Sequence, residues 1–172
     1  MRSTIMKRLF FVSALLASAV VTAHDEVDCD VYQNEVLDQI ERKRDVKAWH
    51  YKHVGNVCSI HAVHAFKLVD DGFYYEWELK WASQVNSKQA LEALSLVLES
   101  KRYYDWELQW ASRVDHDGAL ELFKRIRSKR KFFSWELEWV SSVQSEAAYR
   151  SCKRVLGYDT YFKSQLKAAC SF

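Results

Sequence analysis

The chain has 172 residues, 49% of them hydrophobic and 15% aromatic, with four cysteines, four glycines and no proline. That length and aromatic content suit one domain with a substantial core. The formal net charge is +2, and Arg2, Lys7 and Arg8 supply three of the positive charges, so the chain beyond residue 23 sits near −1, which gives no electrostatic ground for a nucleic-acid partner.

The first stretch reads as a targeting segment. Arg2, Lys7 and Arg8 precede an apolar run from Leu9 to Val21, and Val21-Thr22-Ala23 follows the small-residue rule for signal-peptidase cleavage. Residues 1–23 are therefore expected to be a signal peptide and residues 24–172 a single helical repeat domain. The run is too short for a comfortable membrane anchor, and no later stretch approaches the ~20 apolar residues that a span needs. The destination implied is secreted or periplasmic.

From Asp28 to Arg44 the apolar residues Val31, Val36, Leu37 and Ile40 share one side of a helix, with Asp28 or Asp30 as its cap. The chain then says one phrase three times, at Phe73 to Val85, Arg102 to Val114 and Lys131 to Val143. Trp77, Trp106 and Trp135 stand 29 residues apart, as do Trp81, Trp110 and Trp139. Residues 45–72 are a worn copy at a spacing of 28, in which Trp49 answers Trp77 and Val57 answers Val85. A fixed period of this size marks stacked supersecondary units.

In each full copy a first helix carries Trp-Glu-Leu-x-Trp. A polar break follows at Asn86-Ser87, Asp115 or Ser145, each a suitable N-cap, and a second helix shows an apolar stripe at i, i+1, i+4 and i+7, as in Ala90, Leu91, Leu94 and Val97. The units run 28–44, 45–72, 73–101, 102–130, 131–157 and 158–172, the last without tryptophan, as expected of a terminal unit with no neighbour to cover it. About nine helices are expected after the signal. The fold class that follows is all-α: a short right-handed array of antiparallel helical hairpins in 29-residue repeats, stapled by disulfides. By architecture it resembles the tetratricopeptide-like class of α/α-hairpin solenoids. Its period and signature differ from that family's, so no functional residue carries over.

Four cysteines in an exported chain imply two disulfides. A turn near Lys43 and Arg44 would set Cys29 opposite Cys58, leaving Cys152 with Cys170.

On a helical wheel the arc from Trp77 through Trp81, Tyr75 and Leu79 is wide enough to contact neighbours on two sides. Glu78 lies in the middle of that arc and recurs as Glu107 and Glu136, with His50 and Gln165 at the same place in the outer units. An unpaired buried carboxylate costs several kcal/mol, so each glutamate needs a partner. A tryptophan N–H or one of Ser83, Ser112 and Ser141 is the expected one. These carboxylates form either a polar ladder that fixes register or, with Trp77, Trp81, Trp106, Trp110, Trp135 and Trp139, the lining of a binding groove.

Two further groups invite a functional reading. His50, His53, His61 and His64 flank Cys58, a composition that suits zinc or copper, but the repeat alignment sends His50 and His53 inward and His61 and His64 to solvent, so no metal or other cofactor is expected. The run Lys124, Arg125, Arg127, Lys129, Arg130 and Lys131 could form a basic edge or simply complement helix dipoles. No nucleophile elbow, phosphate loop or zinc-protease motif occurs.

The function expected is non-catalytic binding of a protein or peptide, with Arg125, Arg127 and Arg130 beside the tryptophans and glutamates. The alternatives are an inhibitor or immunity-type protein of the envelope, a metal-handling protein using the histidines, or an enzyme with Glu107 or Glu136 in a cleft.

Overall fold

The computed structural model describes residues 28–42, 46–70, 75–100 and 102–171. The expected signal peptide and its cleavage site lie outside them. The described residues form ten helices and no strand: α1 (Cys29–Glu41), α2 (Ala48–Val54), α3 (Ile60–Asp70), α4 (Glu76–Ala82), α5 (Lys88–Leu98), α6 (Asp105–Ala111), α7 (Asp117–Arg127), α8 (Ser134–Ser141), α9 (Glu146–Val155) and α10 (Lys163–Cys170). No helix among them is long and apolar enough to cross a membrane.

The even helices are short and carry the repeated phrase, and the odd ones carry the second apolar stripe. Every substantial contact joins helices one or two apart in the chain. Even packs on even, odd on odd, and each odd helix lies against the even helix that follows it. The sequence reading paired each phrase helix with the helix after it; the closer partner is the one before. This all-helical packing is consistent with a helical repeat architecture.

The core runs along this stack. Leu79, Leu108 and Leu137 of the phrase are fully buried, as are Ala82, Ala111 and Val140 and the trio Val85, Val114 and Val143 just after the even helices. From the odd helices come Phe66, Leu94, Phe123 and Cys152 at the matching position.

Serine caps tie one layer to the next. Ser59 Oγ accepts the Ala62 N–H at 3.0 Å and donates to the Val85 carbonyl at 2.6 Å. Ser87 Oγ repeats this with Ala90 at 3.0 Å and Val114 at 2.8 Å. One hydroxyl thus satisfies a helix's first turn and a carbonyl in the following unit. In the next unit the cap is His116, whose Nδ1 accepts from the Gly118 N–H at 3.0 Å, in place of the expected Asp115. Position 116, not 115, lies one period after Ser87.

Both disulfides pair as expected. Cys29–Cys58 joins α1 to the segment before α3, and Cys152–Cys170 joins α9 to α10.

Candidate functional site

The repeated glutamates are buried, at 2%, 3% and 4% exposure for Glu78, Glu107 and Glu136. Each sits third in its helix, from where its side chain can reach back to the cap residue's N–H. The Tyr75 N–H donates to Glu78 Oε2 at 2.6 Å and the Phe133 N–H to Glu136 Oε2 at 2.7 Å. The outer units use the same device, with the Lys47 N–H on His50 Nδ1 at 2.9 Å and the Phe162 N–H on Gln165 Oε1 at 2.9 Å.

The second partner comes from the following unit, from the end of α7 or from the loop after it. Tyr103 Oη donates to Glu78 Oε1 at 2.5 Å. Tyr161 Oη donates to Glu136, which Lys129 Nζ also reaches at 2.8 Å. Between these two copies stands Phe132, which has no hydroxyl, and there Arg127 donates to Glu107 and, at 2.6 Å, to Ser100 Oγ. The tryptophans and serines proposed as partners do other things. Ser83, Ser112 and Ser141 each donate to a carbonyl three residues back, at 2.9 Å, and the Trp81 indole donates to Asp105 Oδ1 at 2.5 Å.

The electrostatics follow from these partners. Burial pushes the Glu107 carboxyl up, and Arg127 with the Tyr104 N–H only partly offsets it, so it stays above the ordinary carboxylate range. Burial acts in the same direction on Glu136, but Lys129, the Tyr161 hydroxyl and the Phe133 N–H outweigh it and hold that carboxyl below. Burial, reinforced by the neighbouring Glu78, drives the Tyr103 hydroxyl far up, so it remains a donor.

The residue before α4, α6, α8 and α10 is aromatic and points outward, whereas before α2 it is Lys47. Tyr75, Tyr104, Phe133 and Phe162 are 66%, 66%, 65% and 76% exposed. Each is an N-cap in the extended region, with φ between −96° and −112°, so its side chain leaves the helical arc. Three of the rings lie parallel to the indole two residues on: Tyr75 on Trp77 at 5.7 Å, Tyr104 on Trp106 at 5.6 Å and Phe133 on Trp135 at 5.7 Å, with interplanar angles of 7°, 10° and 11°. The far side of each indole meets the next unit edge-on, at Tyr103, Phe132 and Tyr161. Stacking adds about 0.5–1.5 kcal/mol per pair and holds the outer rings in place.

Two of these rings flank a cleft of about 440 Å³, lined by Arg102, Tyr104, Trp106, Glu107, Arg127, Arg130, Lys131, Phe132 and Phe133. Trp106, Glu107, Arg127 and Arg130 of the expected site meet here. Trp110 and Trp139 line a second groove of about 470 Å³ at the other ends of α6 and α8, among Gln84, Asn86, Arg113 and Gln144. Trp77, Trp81, Glu78, Trp135 and Glu136 line neither space. Arg125 caps the end of α9 by donating to the Leu156 carbonyl at 3.0 Å.

The histidines do not converge. His50 and His53 are buried, His64 is exposed, and Cys58 is in a disulfide. Among the described residues no three His, Cys, Asp or Glu side chains are placed to hold a metal ion.

Comparison with protein-family models, with curated proteins and with solved structures finds no match to this chain.

Proposed function

We propose that the chain is an exported, non-catalytic repeat protein, a stack of antiparallel helical hairpins that binds a protein or peptide on the face where the even helices begin. The observation that carries this reading is the row of outward rings at Tyr75, Tyr104, Phe133 and Phe162. Exposed aromatic surface repeated along one face marks an interaction site, and this chain sets out such a ring four times. Rings already fixed by stacking lose little freedom on association, which favours recognition.

The glutamates support the absence of catalysis. Each of Glu78, Glu107 and Glu136 is engaged by hydrogen bonds within the fold, and Glu107, the one that lines a cleft, is held there by Arg127. Two disulfides suit an oxidising compartment.

The test pairs capture with stability. The purified, oxidised chain and its Tyr104→Ala/Phe133→Ala variant are each used to retain proteins from envelope and culture extracts. The expected result is a partner held by the parent and lost by the variant, with thermal unfolding little changed because both side chains are mostly exposed. Equal retention by both proteins would refute this face as the binding surface.

A further inference from the structure

We infer that the cleft between Tyr104 and Phe133 takes an acidic peptide segment that carries an aromatic side chain. This rests on the binding role proposed above and names the partner's chemistry.

The polar groups of the cleft fall into two sets. One is internally satisfied: Glu107 is paired with Arg127, and Arg127 also donates to Ser100. The other is Arg102, Arg130 and Lys131, all exposed. None of these three takes part in an ion pair among the described residues, whereas their neighbours in the basic run are engaged: Lys124 with Glu92, Arg125 with the Leu156 carbonyl, and Lys129 with Glu136. The charged groups that remain free are therefore all hydrogen-bond donors. Guanidinium and ammonium groups ask for a carboxylate or a phosphate, and two arginines can each grip one through paired N–H bonds.

The walls supply the second half of the ligand. Tyr104, Trp106, Phe132 and Phe133 line it, with Tyr104 stacked on Trp106 and Trp106 edge-on to Phe132. A space of about 440 Å³ falls within the usual range for a binding cleft, ample for one aromatic side chain. A neutral sugar would need acceptors for its hydroxyl hydrogens, and the one carboxylate here is already taken. An anionic membrane surface would meet Glu76 and Asp105, exposed carboxylates directly after the Tyr75 and Tyr104 rings. A narrow acidic segment avoids both, since it enters between the rings.

The experiment uses the full oxidised chain and three N-acetylated, C-amidated probes titrated calorimetrically: Asp-Glu-Phe-Glu-Asp, Asn-Gln-Phe-Gln-Asn and Asp-Glu-Ala-Glu-Asp. The first is expected to bind, the other two at least about tenfold more weakly, and the first to weaken as salt is raised. Arg102→Glu/Arg130→Glu/Lys131→Glu should weaken the first probe by about tenfold or more, while Lys88→Glu/Arg154→Glu, charge reversals outside the cleft, should not. Equal binding of all three probes, no binding of the first, or equal loss in both variants would overturn the inference. So would tighter binding of phosphatidylglycerol vesicles or polygalacturonate than of the first probe. If partner capture still depends on Tyr104 and Phe133 while the acidic probe fails, the chemistry named here is wrong and the binding face stands.

Discussion

At Glu78, Glu107 and Glu136 one repeated residue meets three sets of partners, which differ with the residues the repeat varies around it. Where the following unit offers Tyr103 or Tyr161, the hydroxyl covers the carboxylate; where it offers Phe132, Arg127 does so. Arg127→Met should therefore cost about 3 kcal/mol, the scale for losing one partner of a nearly buried pair. Phe132→Tyr placed in that background should recover about 1 kcal/mol by restoring the hydroxyl seen one period earlier and later. Urea unfolding of the double-mutant cycle checks this, and an identical effect of Phe132→Tyr with and without Arg127 would count against it.

The same position should show opposite responses to acid. Glu136 is held below its usual value near 4.5, so its contribution to stability is complete above the unfolded-state pKa and is lost as pH falls through the folded one. Glu107 is held above that value, so its contribution is present below the unfolded-state pKa and is lost as pH rises through the folded one. Between about pH 3 and 7, Glu136→Gln should flatten a limb on which stability rises with pH, and Glu107→Gln a limb on which it falls. Unfolding midpoints measured across that range give both slopes.

At the scale of the helix, the serine caps differ in how much they carry. Ser87 caps α5 and also satisfies the Val114 carbonyl of the next unit, whereas Ser145 accepts from the Ala148 N–H at 3.1 Å and caps α9 alone. Ser145→Ala should cost about 1 kcal/mol, and Ser87→Ala about 2 kcal/mol, since it also strands a carbonyl. Equal losses in chemical unfolding would show that the cross-unit bond contributes nothing.

The elements were legible in the sequence because their signals are periodic. The constant spacing of the tryptophans, the apolar stripes and the polar breaks gave the helices, and the turn between Cys29 and Cys58 gave the first bridge. Among the described residues ten helices form where about nine were expected. The row of outward rings was not legible, for a definite reason. The helical wheel placed Tyr75 inside the apolar arc, but Tyr75 precedes the helix at φ −101° and ψ 157°, where a wheel angle has no meaning. The aromatic pairs Tyr103-Tyr104, Phe132-Phe133 and Tyr161-Phe162 thus split, the first ring packing edge-on to an indole and the second turning to solvent. The basic run divides just as finely, and only side-chain partners reveal which cations are free.

Across the whole molecule, stability is a sum over neighbours, because substantial contacts reach no further than two helices along the chain. A stack of this kind ordinarily frays at its outer layers, which have support on one side only. Here the two sulfur bonds sit in those outer layers, at Cys29–Cys58 and Cys152–Cys170, while α4 to α8 have no covalent tie. The oxidised protein should accordingly loosen from its waist, and the reduced one from its tips. Local opening would then begin beside the aromatic cleft, so that redox state sets how firmly the middle of the stack is framed.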